Sequence, residues 1–559
     1  MSMAAVSMTE KNASVAARYR TQVIASTLWA AWADALGFIT ELTGASGLRH
    51  RTGGKQVKTT IDWTRRVGGQ YGVAAHIPAG TYSDDTQLRL AVSRSIADYG
   101  FDVETFARIE LTVWPSYALG GGRASRAAAA GMAKANATWH TNFYDGWTRS
   151  GGNGAAMRIQ PHVWAGGLDD NYIVPVLRDA IVTHGHPRAL VGAVLHAVCL
   201  AFSLREARTP AVDDWQALLR ATRGAVRFFF DDPDLSDIWV SSWESVEQRS
   251  FRGAWDEAVD ECDHLLRIGA RFVRAATHAN VEVFPTYGDM VERMGLTDKK
   301  TLGSGTATVT AAMALAAVFD HRPADAALLA AHTLGTDTDT IATIAAAMIG
   351  AATGDDHIPG PVQDEAYLRA EADRLAKIAV HVPTSAFPYP DTLRWKPPQS
   401  QLEAVGIADG HLALAGIGFL DPIGLSFETR DAVWSWLQST AGPSFLAKHR
   451  FELRELPRGN WPATHRDDVD AALPRTPPQP VRATTGHPAR SRDALFEVTP
   501  EGLALTDRSL PLFEAVAPGL RFSDLTDEAL GQAVRRAAQI STNEEWATLM
   551  AYLRSQLRG

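Results

Sequence analysis

Residues 332–354 read HTLGTDTDTIATIAAAMIGAATG, with two aspartates and two threonines crowded at the head of a long apolar run. Ile341, Ile344, Ala345, Met348 and Ile349 recur at i, i+3, i+4, i+7 and i+8, which predicts an amphipathic helix with one buried stripe. Asp and Thr suit its first turn, because their oxygens accept hydrogen bonds from unpaired N–H groups and carboxylates favour the positive end of the helix dipole. One cap needs one oxygen, however, and Asp337, Thr338, Asp339 and Thr340 offer six. The surplus points to a hard cation. An EF-hand loop counted from Asp337 would need Gly at its sixth position and Glu at its twelfth, where this sequence has Ala342 and Met348. Partner ligands therefore have to come from other segments.

Two other segments qualify. In GTYSDDTQLRLAVSRSI (80–96), Ser83 is a natural N-cap, Asp84 and Asp85 occupy the first turn, and Leu88, Ala91, Val92 and Ile96 mark one face. In WADALGFITE (32–41), Asp34 stands near the end of an apolar helix, where a carboxylate opposes the dipole and asks for a counter-ion. Taken singly, an acidic helix start and a surface carboxylate explain these residues. As a set, Asp34, Glu41, Ser83, Asp84, Asp85, Asp337, Asp339 and Thr340 offer only oxygen, which suits Mg2+, Mn2+ or Ca2+ rather than zinc. So many carboxylates repel unless about two divalent ions neutralise them, and such paired ions orient a water and the group it attacks.

The chain has 559 residues, a length that predicts about two to four domains. Hydrophobic residues make up 46% and charged ones 21%, a globular balance, and the formal charge of −9 gives no global case for nucleic-acid or membrane binding. Cys199 and Cys262 are too few for a disulfide framework or a Cys-rich zinc site, which fits a reducing compartment. VIASTLWAAWA (23–33) has the length of a signal-peptide core, but Asp34 follows it and cleavage would remove that carboxylate. No apolar run is read as long enough to span a membrane, and a cytoplasmic protein is expected.

From residue 14 to about 380 the pattern is helical, Ala- and Leu-rich segments alternating with Gly-rich loops, which predicts a compact all-α domain over 1–385. The prolines of HVPTSAFPYPDTLRWKPPQ (381–399) set its boundary. An accessory α/β segment over 386–472 follows, with a hairpin turning at Asp409 and Gly410 and a helix from Thr429 to about Ser439. Residues 473–495 read as a Pro/Arg-rich linker. Residues 496–559 read as a small helical domain in which Thr542 and Glu545 form a capping box and Trp546, Leu549, Met550 and Leu553 share a face. That face fits either a protein partner or plain packing.

ADALGFITE (33–41), YSDDTQ (82–87) and LGTDTDTIA (334–342), in that order, resemble the signature of the ADP-ribosylglycohydrolase family, the dinitrogenase reductase-activating glycohydrolase-like enzymes. GGNGAAMRIQP (151–161) is similar to the family's Gly-Asn-Gly loop that holds ADP-ribose, and THGHP (183–187) to its Thr-His segment beside the same ligand. The resemblance covers about residues 14–380. It implies a mainly α fold, a cleft holding two Mg2+, with Mn2+ as a substitute, and hydrolysis of an ADP-ribosyl bond at the ribose C1″. It further implies Ser83, Asp84, Asp85, Asp337, Asp339 and Thr340 as metal ligands. Glu41, Asp84 and Asp339 take catalytic roles by the same resemblance, and Asp34, Ser150, Gly152, Asn153, Gly154 and His184 bind substrate. Ala33, Thr336 and Ala346 stand where the family commonly has glycine, a departure that touches packing and leaves every ligand oxygen in place.

The residues themselves fit that chemistry. Cleaving a ribosyl bond passes through an oxocarbenium-like state and needs a positioned water, a proton acceptor and charge stabilisation. The glycines of SGGNGAA (150–156) let backbone amides approach a diphosphate. ALGGGRASRAAAAGMA (118–133) lacks the Gly-Lys-Ser/Thr of a P-loop and reads as a loop near the cleft. His184 and His186 find no third zinc ligand at suitable spacing. The expected partner is an ADP-ribosylated macromolecule or a small ADP-ribosyl substrate. Two other functions compete, a catalytically silent ADP-ribose reader and a hydrolase of a free ADP-ribosyl metabolite. The acceptor stays open, its contacts being expected from loops such as 42–80.

Overall fold

The run after Asp337 folds as expected into a helix, Thr338–Thr353, closed by Gly354 in the left-handed conformation (φ 66°). The computed structural model describes residues 3–69, 72–134, 136–277 and 283–463, with side chains from residue 14, and the backbone of 496–499 and 502–505. Its main helices are α1 (Met3–Thr40), α2 (Asp84–Arg94), α3 (Arg123–Met132), α4 (Ile173–Thr183), α5 (Pro187–Glu206), α6 (Phe251–Ala276), α7 (Gly305–Val318), α8 (Pro323–His332), α9 (Thr338–Thr353) and α10 (Glu365–Ala379).

Helix α9 differs from its reading in one respect: every residue from Thr338 to Ala352 is buried, so it has no solvent face. Its small residues explain this, since they let α1 approach on one side while α5, α7 and α8 cover others. A Cβ on Gly37 would lie 2.4 Å from Asp339 Cα, and one on Gly350 would lie 2.9 Å from the Ala25 carbonyl oxygen. The two helices thus run antiparallel in backbone contact. Side chains lace them, Gln22 donating to the Ala351 carbonyl (2.7 Å), Ser26 to Ala347 (2.8 Å), Thr343 to Ala30 (2.7 Å) and Thr338 to Gly37 (2.8 Å). Each bond satisfies a hydroxyl or amide that burial would otherwise penalise.

Contrary to the sequence reading, two helical stretches, Ser14–Thr40 and Pro187–Glu206, do reach membrane-spanning length and hydropathy. Their apolar windows are 94% and 89% buried, so protein neighbours account for that apolarity.

The domain is not purely helical. Strands β1 (Trp63–Val67) and β2 (Val73–Ile77) form an antiparallel hairpin beside α1, Trp63 opposite Ile77. The hairpin expected at Asp409-Gly410 forms, with both residues at positive φ (50° and 77°), joining β3 (Val405–Ala408) to β4 (His411–Leu414). β5 (Gly418–Glu428), β6 (Val433–Ser439) and β7 (Ser444–His449) complete a five-stranded antiparallel sheet in sequence order. The helix expected over 429–439 is therefore a strand. Val433, Trp436 and Leu437 fit a helical spacing, but the run is too short for periodicity to decide, and β6 is paired on both edges, Trp436 opposite Leu446 and Ser435 opposite Ser426.

One compact unit runs past the boundary expected near 385, to residue 473. Tyr389 donates a 2.5 Å hydrogen bond to Glu110, which forms a fully buried ion pair with Arg94. Ser444 donates from its backbone to Asp364 (2.7 Å), and the Tyr117 and Phe445 rings meet at 4.3 Å. The prolines of 381–399 end a helix without ending the core.

Residues 474–559 form a second unit. Its described part is an antiparallel hairpin, β8 (Phe496–Thr499) with β9 (Gly502–Leu505), where helix was expected. The strand-favouring Phe496, Val498 and Thr499 account for it. The linker 473–495 and the face of Thr542, Glu545, Trp546, Leu549, Met550 and Leu553 lie outside the described residues.

Candidate active site

Three helix ends converge. Glu41 directly follows α1, Asp84 and Asp85 form the first turn of α2, Asp337 is the N-cap residue of α9, and Asp339 and Thr340 sit in its first turn. All six line one cleft of about 850 Å³. Carboxylate oxygens of Glu41, Asp337 and Asp339 lie within 4.8 Å of one another. Gly120, at φ 139°, leaves the space that Asp84 fills; a Cβ there would sit 2.1 Å from Asp84 Oδ1.

Burial and mutual repulsion both favour protonation here. Asp84 is pushed up to about 8 by burial, reinforced by Glu41, Asp34 and Asp337. Asp85 and Asp339 are held well above the carboxylate range, and Glu41 is raised too, by burial more than its neighbours Arg65 and Arg51 lower it. Asp85 Oδ2 is buried with no hydrogen-bond partner. An orphaned buried carboxylate oxygen among crowded carboxylates fits divalent metal, whose charge would remove each of these penalties.

Two of the sequence-derived residues stand behind this floor. Asp34, fully buried, accepts from the Ser83 N–H (3.0 Å), the Thr86 N–H (2.9 Å) and the Thr86 hydroxyl (2.5 Å), so the Arg89 guanidinium and the positive end of α2 both favour its charge. Ser83 is equally buried and its Oγ accepts the Asp85 N–H (3.2 Å) as a helix cap. Neither lines the cleft. Buried Arg89 backs them, donating to Thr86 Oγ1 (3.2 Å) and Thr343 Oγ1 (2.6 Å).

Ser150, Gly152, Asn153, Gly154 and His184 all line the cleft, as does the Gly120–Arg123 turn before α3. The role expected for the glycine loop is narrower than its sequence implied. The Asn153 N–H is taken by the Gly303 carbonyl (2.8 Å), and its side-chain amide donates to Asp337 Oδ2 (2.9 Å), which ties the loop to the carboxylate floor. Gly154 is required because a Cβ would lie 2.9 Å from His184 Cε1. His184 hydrogen-bonds Thr183 Oγ1 through Nδ1 (2.7 Å) and is held neutral, lowered to about 3 by burial and by Arg158. His186 accepts the Arg188 N–H (3.1 Å).

Sequence reasoning singled out one of the cleft's cations, Arg123 in the Gly-rich stretch 118–133, and missed the others. Arg65, Arg123, Arg149, Arg188, Lys299 and Lys300 reach the cleft from five separate segments, with no spacing that marks them as a group. Of the missed ones, only the Lys299-Lys300 doublet forms a local basic feature.

A family model described as ADP-ribosylglycohydrolase matches residues 16–386. Among solved structures, one described as an ADP-ribosylglycohydrolase-related protein complex is 21% identical, with a TM-score of 0.41, over 65% of this chain and 99% of that one. No curated protein matches the chain. The matched span covers most of the chain and holds all three acidic segments and the glycine loop. This chain belongs to the ADP-ribosylglycohydrolase family.

Proposed function

We propose that the chain is a Mg2+-dependent hydrolase that removes ADP-ribose from an acceptor by cleaving the glycosidic bond at the ribose C1″. The observation that carries this reading is the convergence of five carboxylates in one cleft, with Asp85 Oδ2 buried and unpartnered. Asp84, Asp85, Asp337, Asp339 and Thr340 would hold two Mg2+, or Mn2+, directly from the cleft wall; Ser83 belongs to the ligand set by resemblance. Bound metal supplies charge to orient ribose hydroxyls and to acidify a water.

The chain's own groups do the rest. Asn153 fixes Asp337 through its amide hydrogen bond. Glu41, held at its backbone carbonyl by Arg51 (3.0 Å) and flanked by Arg65 (3.6 Å), would accept the water's proton. Neutral His184 offers a hydrogen bond without charge, and the cations on the cleft wall meet the diphosphate. A silent reader is disfavoured because none of the expected carboxylates is missing. Incubating the full chain with a panel of ADP-ribosylated substrates, with Mg2+ or EDTA, tests this. Metal-dependent release of ADP-ribose from at least one is expected, and binding of ADP-ribose with no release from any would overturn it.

A further inference from the structure

We propose that the cleft favours an uncharged hydroxyl acceptor, O-linked to ADP-ribose, over an arginine guanidinium, and that Arg65 sets this preference. The inference rests on the function proposed above. Outside the carboxylate floor the charged groups lining the cleft are Arg65, Arg123, Arg149, Arg188, Lys299 and Lys300 against Asp145 alone. Arg188 is paired with Glu261 (2.6 Å). Arg65 is the one cleft cation in ion-pair contact with a floor carboxylate among the described residues: its buried Nη1 lies 3.6 Å from Glu41 Oε2, within electrostatic reach but beyond hydrogen-bond distance. A donor at that spot has capacity left for another acceptor atom.

The guanidinium is also preorganised. Arg65 rides on β1, opposite Ala75 of β2, and stacks over the Phe38 ring at 4.4 Å, while Phe38 meets Trp63 edge-on at 5.1 Å. It is therefore a fixed positive charge beside Glu41.

Hydrolysis forms a bond from the water oxygen to C1″ and breaks the bond from C1″ to the acceptor, whose electron pair stays with the acceptor. With a hydroxyl acceptor, negative charge grows on the departing oxygen until one water proton reaches it, the other remaining on the new 1″-hydroxyl. A fixed cation stabilises that oxygen as charge develops. A guanidinium acceptor brings positive charge to the same place, where Arg65 repels it.

The test uses two peptides of one sequence, carrying ADP-ribose on serine in one and on arginine in the other, with Mg2+ and the full chain as wild type, Arg65→Gln and Arg65→Lys. Wild type is expected to favour the serine-linked peptide in kcat/KM by about tenfold or more. Arg65→Gln should narrow that ratio by about tenfold, chiefly through kcat on the serine-linked peptide, whereas Arg65→Lys should keep most of it. Preference of wild type for the arginine-linked peptide would overturn the inference and leave the hydrolase reading standing. An equal loss on both peptides in Arg65→Gln, the mark of a purely structural role, would overturn it as well. Hydrolysis of neither peptide, nor of any small ADP-ribosyl substrate, by wild type would overturn the hydrolase reading and this inference with it.

Discussion

Asp84 shows how one residue is set by its surroundings. Gly120 leaves room for its oxygen, the start of α2 favours its charge, and the crowd of Glu41, Asp34 and Asp337 opposes that charge. Replacing it by Asn keeps the shape and removes one negative charge. Asp84→Asn, and likewise Asp339→Asn, is expected to lower turnover by roughly two orders of magnitude or more, since a charged metal ligand is lost. The same substitution should raise the melting temperature of the metal-free protein at neutral pH, because Asn is neutral in the cleft without taking up a proton on folding; a metal-free variant that melts lower than wild type would mean that Asp84 is held by hydrogen bonds instead. Gly37→Ala makes the converse case. Its methyl would collide with the Asp339 backbone, so α1 and the head of α9 must separate, at about 1–3 kcal/mol in stability and with weakened Mg2+ binding, both readable by calorimetry.

At the scale of elements, the segment 386–463 packs into the core of the first compact unit. Tyr389→Phe removes a hydrogen bond to a buried carboxylate and should cost about 1–2 kcal/mol in urea unfolding, against no change if Tyr389 merely fills space. A chain ending at residue 385 loses that partner and uncovers Tyr117, and it should be less soluble than one ending at 473. These tests follow from what the sequence hid. Helices α2 and α9, and the acidic residues at their heads, were legible because caps and 3.6-residue periodicity are local signals. The convergence of their ends was legible only through resemblance. Pairing of β6 on both edges, the docking of Tyr389, the placement of Asp34 behind the cleft and the gathering of Arg65 with Lys299 and Lys300 depend on contacts between distant segments, and no local pattern encodes them.

For the whole molecule, the raised carboxylates couple folding to pH and to metal. From about pH 4 upward the metal-free native state keeps protons that the unfolded chain has released, Asp84 up to about pH 8 and Asp85 and Asp339 with it. Its stability should therefore fall as pH rises from about 4 to 8. Mg2+ competes with those protons, so its stabilisation should be larger at pH 8 than at pH 5; thermal unfolding with and without Mg2+ at both values checks the sign. The most direct measurement follows release of ADP-ribose from a serine-linked peptide by the 559-residue chain, stripped with EDTA and then titrated with Mg2+. No release in EDTA and full recovery with Mg2+ is the expected result, while undiminished release in EDTA would contradict a carboxylate-bound metal as the basis of this site.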